Sequence, residues 1–348
     1  MPRQFLRTIG IDYSGAETAE ASLKGLRVYQ TIGNDVPQEV VPTSGPKKYW
    51  TRRGIASWLI DELDGRMPTI VGIDHGFSFP LRYFERHALP PDWDLFLDDF
   101  CKHWPTDEEH TYVDFVRHGS VGSGAAREGE RRWRRLTEEA TGSAKSVFHF
   151  DVQGSVAKST HAGIPWLRKL RMARPDIHFW PFDGWQPPAG ASVVFEAYPR
   201  LWSDKYSRDD EKTPDQHDAF SIARWLQDTD MKYELAGYFS PPQPASVATT
   251  AMTEGWILGA TWPPAKRKAA KRPVSRKSRT AKRTTEIGHI NRNDQQVIGA
   301  TELPGNDHNQ KTYILKCARC QERYGANGSD IFQRKCPHCG GGQPGLPI

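Results

Sequence analysis

The sequence predicts an α/β protein that is followed by a small metal-binding domain at its C-terminal end. Three observations support this. Short apolar runs bounded by turn residues alternate with helical spacings over residues 1–262. A strongly basic run then interrupts the pattern at 263–283. Two Cys-x-x-Cys pairs follow within residues 284–348, at a spacing typical of zinc ligands.

The expected strands are short apolar runs that end in turn residues. A continuous apolar run is typical of a buried, parallel-type strand, and residues 69–73 fit this description best. The five expected strands are Phe5–Ile11, Gly25–Ile32, Val36–Val41, Thr69–Ile73 and Ser192–Ala197.

Two helices stand out by their spacing. Arg52–Leu63 has apolar residues at helical intervals, and Gly65 follows as a stop signal. Asp215–Gln227 has Thr213 and Pro214 in place to start it. The long segment 80–190 is harder to divide, but it contains three further helix-like stretches. These are Trp93–His103, Gly129–Ala140 and Pro165–Met172.

Basic residues cluster around the second of these stretches. They form either a nucleic-acid contact or, more simply, a solvated face that is paired with neighbouring glutamates. The cluster comprises Arg127, Arg131, Arg132, Arg134 and Arg135.

Charge is distributed unevenly along the 348 residues. The formal net charge is +5, but residues 1–265 carry 30 basic and 36 acidic side chains, whereas 266–283 carry ten basic and no acidic ones. Such a run cannot form a core and predicts a disordered linker. No apolar run is long enough for a membrane helix, and no secretory signal is visible, so the expected location is cytoplasmic with no membrane partner.

Acidic residues recur at the ends of buried-type strands. Asp12, Asp74 and Glu196 each lie in or directly after an apolar run, and Asp215 and Asp218 share one face of the late helix. A buried acid is unfavourable unless it is paired or binds a cation. Converging carboxylates are the ligands that hard divalent cations require, and two such ions can promote phosphodiester cleavage.

Seven motifs within residues 5–260 resemble a bacterial domain-of-unknown-function family whose members are predicted nucleases with the RNase H fold. They are IGIDYSGAE (9–17), VGIDHGFSFP (71–80), AGIPWLRKLR (162–171), FWPFDGW (179–185), VVFEAYPRLW (193–202), DQHDAFSIARWL (215–226) and EGWILG (254–259). The resemblance implies an RNase H-like mixed sheet with flanking helices, and residues 80–190 then form a large helical insertion. The order of the acids is also similar to that of Holliday-junction resolvases.

This resemblance implies a metal-dependent nuclease acting on DNA or RNA. Asp12 would bridge two Mg²⁺ or Mn²⁺ ions, and Asp74 and Asp218 would each complete the shell of one ion. Asp215 or Glu196 would be a further ligand or would orient the attacking water. His217, between the two helix acids, would contact the scissile phosphate.

The cysteines indicate a separate, structural metal. Cys317 and Cys320 are followed, after 15 intervening residues, by Cys336 and Cys339, which is a zinc-ribbon spacing. Four thiolates close the coordination of one Zn²⁺, so no catalytic position is expected there. The basic residues nearby suit nucleic-acid or partner contact, or merely a solvated surface.

Two other functions are open on the sequence alone. Residues 12–15 and 74–78 can be read as the two phosphate loops of an ATP-using enzyme related to actin or the sugar kinases. Only one such core is visible, however, and the Asp-x-x-Asp of the late helix favours a nuclease. A non-catalytic nucleic-acid-binding adaptor is the second alternative, with the basic run and the ribbon as its binding parts.

Overall fold

A computed structural model describes residues 3–43, 47–150, 155–208, 211–263, 284–305 and 311–348. The chain divides into two compact units, Met1–Arg267 and Lys268–Ile348. We call the first the body and the second the C-terminal unit. The basic linker expected at 263–283 lies, apart from its first residue, outside the described residues. In the part of the chain that is described, no helix is long and apolar enough to cross a membrane.

The body is built around a six-stranded mixed sheet with the order β3–β2–β1–β4–β6–β5. Strands β1, β2 and β3 are antiparallel neighbours, whereas β4, β6 and β5 run parallel to β1. The parallel strands therefore end at one common edge. The strands are β1 (Arg7–Asp12), β2 (Arg27–Ile32), β3 (Gln38–Glu39), β4 (Thr69–Asp74), β5 (His178–Trp180) and β6 (Val193–Glu196).

Helices pack around this sheet and fill the long segment between β4 and β6. Their bounds are α1 (Arg52–Glu62), α2 (Leu81–Arg86), α3 (Trp93–His103), α4 (Val113–Arg117), α5 (Leu136–Thr141), α6 (Ala157–Ala173), α7 (Pro214–Met231), α8 (Leu235–Tyr238) and α9 (Ala245–Glu254). The aromatic side chains of Phe79, Phe96 and Phe100 share one buried cluster with Val71 and Val194 of the sheet. The segment is thus part of the body's core.

Helix α7 lies directly on strand β1 and runs against its direction. A Cβ atom on Gly10 would come within 2.2 Å of the carbonyl oxygen of Ala219, so only glycine permits this approach. Further along, the Thr8 hydroxyl donates to the Ala223 carbonyl at 2.9 Å. Because α7 runs antiparallel to β1, the first turn of α7 lies near the C-terminal end of β1.

The structure confirms the expected α/β class and most of the expected elements, but one helix is wrong. Residues 129–135 are not helical, and only Leu136–Thr141 forms α5. The physical reason is that Arg135 is turned inward, where its side chain is 1% exposed and fully engaged, so it cannot form part of a solvated basic helix face. Helix α6 also begins earlier than expected, and β5 has no counterpart among the expected strands.

The C-terminal unit contains a three-stranded antiparallel sheet in the order β7–β8–β9. The strands are β7 (Gln295–Pro304), β8 (Lys311–Cys317) and β9 (Arg323–Asn327). A small apolar cluster that includes Val297, Leu315 and Ile331 lies beside two of the cysteines. Because so few residues are buried, the apolar core alone is not expected to keep this unit folded, and a metal ion is expected to add the stability that it needs.

Candidate functional site

Two aspartates meet at the common edge of the parallel strands. Asp12 ends β1, Asp74 ends β4, and the two residues are direct partners in the register of the parallel pair. Their carboxyl groups are close enough to hydrogen-bond to each other when one of them is protonated. Among the residues that the structure describes, neither has a lysine or arginine ion-pair partner.

The environment of this aspartate pair opposes negative charge. Burial is the main cause that raises the pKa of Asp12 well above its ordinary value, and the charges of Asp74, Asp215 and Asp218 add to it. Burial likewise raises the pKa of Asp74 to about 8, with Asp218 and Glu196 contributing. A bound cation would lower the pKa of both groups and favour their ionised, carboxylate forms.

The two helix acids approach the pair from the first turns of α7. Thr213 caps the helix, and its hydroxyl accepts from the backbone N–H of Gln216 at 3.3 Å. Asp215 and Asp218 follow on the side of the helix that contacts β1. Burial raises the pKa of both, although Arg27 and Lys24 oppose this effect at Asp215. The sequence-predicted acids of β1, β4 and α7 are therefore brought within electrostatic reach of one another.

Glu196 lies beside Asp74 but has a different environment. Its two carboxylate oxygens each accept from the Arg135 guanidinium at 2.6 Å, and one of them also accepts from the backbone N–H of Phe77 at 3.2 Å. Both side chains are almost fully buried. Glu196 is thus neutralised by a protein cation, unlike the aspartate pair.

Arg135 connects this contact to the rest of the body. Its Nε donates to Glu138 at 3.0 Å, and one of its amino groups donates to the Glu254 carbonyl at 3.3 Å. The Glu254 carboxylate in turn accepts from the backbone N–H groups of Leu81 and Leu136, both at 2.7 Å. Burial raises the pKa of Glu138 to about 7, and Arg135 opposes that rise. We call Arg135, Glu138, Glu196 and Glu254 the arginine network.

The structure does not bring His217 to the aspartate pair. The imidazole is buried, and its Nε2 lies 3.2 Å from the backbone carbonyl of Ser203. Two positions along a helix turn a side chain to the opposite side, so His217 points away from the face that carries Asp215. The expected contact of His217 with a phosphate therefore stays a prediction, and a buried imidazole beside the Ser203 carbonyl does not favour it.

Two glycine-containing loops follow β1 and β4, and both are filled by protein. A Cβ atom on Gly15 would lie 2.2 Å from the backbone of Lys158 at the start of α6. On Gly76 it would lie 2.8 Å from Val147 and 2.9 Å from Thr160. Close packing therefore explains these glycines without a bound phosphate.

The four cysteines of the C-terminal unit form a compact cluster. Their sulfur atoms all lie within 4.8 Å of one another. The Sγ atoms of Cys317 and Cys339 are 3.6 Å apart, and those of Cys320 and Cys336 are 3.5 Å apart. Tetrahedral zinc with bonds of about 2.3 Å places sulfurs about 3.8 Å apart. The cluster could bind zinc and is compatible with a structural site.

Backbone geometry favours metal binding at these cysteines. Burial raises the pKa of the Cys317 thiol, but hydrogen bonds from the backbone N–H groups of Cys320 and Arg319 and from the side chains of Gln295 and Cys339 together lower it to about 6. Within the described ranges, the cysteines are the one group of three or more such ligands close enough to share an ion. In the body, Asp12 and Asp74 contact each other, and Asp215 and Asp218 lie farther away but within electrostatic reach of Asp12.

The sequence gives no sign that Arg135 and Glu138 belong beside this site. Their arginine- and glutamate-rich stretch reads as a solvated helix, and only the fold shows that two of its members turn inward. Glu254 is the first residue of EGWILG (254–259), but only the structure shows that its carboxylate accepts hydrogen bonds from two backbone segments. No family model, curated protein or solved structure matches the chain.

Proposed function

We propose that the protein is a divalent-metal-dependent nuclease with an RNase H-type body, which hydrolyses a phosphodiester bond in DNA or RNA. The observation that carries this proposal is the Asp12–Asp74 pair. Two half-buried acids lie at one register position and interact with each other, and no lysine or arginine among the described residues pairs with them. Buried carboxylates in this arrangement are typical of sites where a cation or a reaction requires them.

The donor set fits Mg²⁺ or Mn²⁺. These ions prefer carboxylate oxygens, and Mg²⁺ usually retains several water ligands. Asp12 and Asp74 would therefore bind directly, and Asp215 and Asp218 would complete the site directly or through water. Two such ions supply an activated water and stabilise the leaving oxygen in phosphodiester hydrolysis.

The protein's own groups have distinct roles in this proposal. Asp12, at the centre of the acids, would bridge the ions, and Asp74 and Asp218 would each hold one. Glu196 is left out of the ligand set because Arg135 occupies both of its oxygens. Its role would be to anchor the arginine network beside Asp74. His217 is left out because it is buried against Ser203.

The packing of the two loops favours this proposal over an ATP-using enzyme. Phosphate loops need open backbone N–H groups around the ligand. Here the space in front of Gly15 and Gly76 is taken by α6 and by Val147.

The C-terminal unit would support substrate binding. A structural zinc ion would hold its fold, and the positive charges of Lys316, Arg319 and neighbouring residues would contact phosphates. Nucleic acid is therefore the proposed partner.

The test is cleavage of a panel of labelled DNA and RNA by the zinc-loaded full chain. We expect cleavage when Mg²⁺ or Mn²⁺ is added, no cleavage when both ions are omitted or when Zn²⁺ alone is added, and loss of cleavage with EDTA. Asp12→Asn and Asp74→Asn should each lower the rate at least ~100-fold, since each removes a negative charge that holds the metal ion at the reacting phosphate. Asp61→Asn, at an exposed acid of α1, is the matched control and should change the rate less than about twofold.

Three outcomes would contradict the proposal. Cleavage that ignores EDTA or survives both substitutions would exclude a metal-dependent carboxylate site. Metal-dependent ATP turnover without cleavage would favour the kinase-like alternative. Nucleic-acid binding that is unchanged in both variants, with no cleavage of any substrate, would favour the non-catalytic adaptor.

A further inference from the structure

A cavity of about 350 Å³ opens beside Asp74 in the body. Its floor contains Asp74 together with Arg135, Glu138 and Glu196 of the arginine network. Asp12 is not among its lining residues, so the cavity extends from the Asp74 side of the aspartate pair. Its volume is at the lower end of the range for small-molecule sites.

The polar atoms that the arginine network contributes to the floor of the cavity already have hydrogen-bond partners. Each oxygen of Glu196 and the Nε of Arg135 has a partner within the network. Such a network has no spare hydrogen-bonding capacity that a ligand must satisfy, and it holds the floor rigid. The groups available to a ligand are therefore those on the walls.

The walls combine positive charge, aromatic surface and hydroxyl groups. Lys145 and Arg200 bring two cationic side chains to a cavity whose other end is the acidic Asp74. Tyr198 lines the wall, and its hydroxyl lies 3.3 Å from that of Ser143. Tyr13 also lines the cavity, and its buried hydroxyl, which is within electrostatic reach of Arg52 outside the cavity, has no hydrogen-bond partner among the described residues.

This combination suits a ligand with a planar polar part and an anionic part. The aromatic and hydroxyl groups match a base and its ring substituents, and the two cations match a phosphate. Ala144, Val156 and Ile257 supply apolar surface between them. Because the cavity adjoins Asp74, a phosphate held near the proposed metal ligands would lead the attached nucleotide directly into it.

We infer that the cavity receives one unpaired nucleotide next to the phosphodiester bond that is cut. The inference rests on the proposed nuclease function and narrows its substrate. A base that is stacked and paired within a continuous duplex cannot enter a cavity of this kind, whereas an unpaired base can be accommodated at little energetic expense. The substrate class is thus a single strand, a strand end or a duplex with an unpaired nucleotide.

The experiment measures binding of labelled oligonucleotides to the zinc-loaded full chain by fluorescence anisotropy, with Ca²⁺ in place of Mg²⁺ and at one fixed salt concentration. The probes are a single strand, a continuous duplex and the same duplex with one unpaired nucleotide. We expect the two unpaired probes to bind roughly tenfold more tightly than the continuous duplex, the effect of about one base–aromatic contact.

Two variants test whether the cavity causes this preference. Ala144→Trp fills the cavity from a half-buried position, and Arg200→Gln removes an exposed cation without filling space. Ala144→Trp should abolish the preference, and Arg200→Gln should reduce it, while duplex binding stays within about twofold. Ala245→Trp, on an exposed alanine that does not line the cavity, is the matched control and should retain the full preference. If Ala144→Trp loses its thermal unfolding transition, Arg200→Gln decides.

Equal binding of paired and unpaired probes, or a preference that survives in both variants, would overturn the inference. The two proposals can fail separately. A preference that depends on the cavity, without cleavage of any probe, would contradict the nuclease function and leave the nucleotide cavity intact. Metal-dependent cleavage with no preference for unpaired nucleotides would support the nuclease function and contradict the nucleotide cavity.

Discussion

The aspartate pair of the body and the cysteine cluster of the C-terminal unit contrast in how the chain assembles potential metal ligands. The four cysteines come from two nearby turns and already surround a common point. The aspartates come from strands that are distant in the sequence but are neighbours in the sheet. A local motif thus creates one site, and the topology of the sheet creates the other.

The two sites also differ in what supports them. The body has an extensive core and an internal cation, Arg135, so it is expected to fold without metal and to tolerate an uncompensated aspartate pair. The C-terminal unit buries few residues and is expected to depend on a bound ion for its fold. We therefore expect zinc to stabilise the C-terminal unit, and a divalent cation at the aspartate pair to enable the proposed reaction in the body.

The largest expected effect is the loss of zinc. A zinc chelator, or Cys336→Ser, should unfold the C-terminal unit, because structural zinc contributes an apparent 10–16 kcal/mol to such domains. The body should keep its own thermal transition within about 2 °C. Calorimetry with amide NMR spectra separates the two units. Cys101→Ser, at a cysteine outside the cluster, is the control and should leave the C-terminal unit folded. A C-terminal unit that stays folded without zinc would remove the contrast.

The next effect concerns the arginine network. Arg135→Met should destabilise the body by about 3–5 kcal/mol, because it leaves Glu196 and Glu138 buried without their cation. Urea unfolding measures the change. Arg132→Met, at an exposed arginine in the same stretch, should stay within about 0.5 kcal/mol. Equal effects of the two variants would show that the network does not compensate these acids.

Substitution in the aspartate pair should stabilise the body, whereas substitution of Arg135 should destabilise it. Folding raises the pKa of Asp74 from 3.8 to about 8, so ionisation of Asp74 opposes folding increasingly as pH rises between these values. In EDTA at pH 7, Asp74→Asn should therefore stabilise the body by about 1–3 kcal/mol, and the gain should shrink toward pH 4. Urea unfolding across this pH range gives both results. A loss of stability in EDTA would contradict the description of the pair as uncompensated.

The smallest effect concerns the basic run 266–283. Its ten positive charges contrast with the net −6 of residues 1–265, so long-range attraction to phosphates should come mainly from this run. Its deletion should weaken nucleic-acid binding and flatten the dependence of log Kd on log salt by about 0.9 for each lost phosphate contact on duplex DNA. Replacement by an uncharged Gly/Ser segment of equal length is the control for spacing. An unchanged slope would show that the run acts only as a spacer.

The sequence predicts the elements better than their mutual contacts. The acids at strand ends and the cysteine spacing are visible in the chain because each depends on local pattern, and the parallel strands then bring Asp12 and Asp74 together. Arg135 could not be predicted, since an inward-facing arginine and a solvated one occur in the same kind of charged sequence. The pairing of Glu196 with Arg135 follows from that one inward turn, so it could not be predicted either.

Direct binding of Mn²⁺ tests the central claim of the account. Electron paramagnetic resonance of the zinc-loaded chain, titrated with Mn²⁺ at neutral pH, counts bound ions without requiring a substrate. The account predicts Mn²⁺ binding that is lost in Asp12→Asn and Asp74→Asn and is retained in Glu196→Gln and Asp61→Asn. Binding that persists in both aspartate variants, or that disappears only in Glu196→Gln, would contradict it.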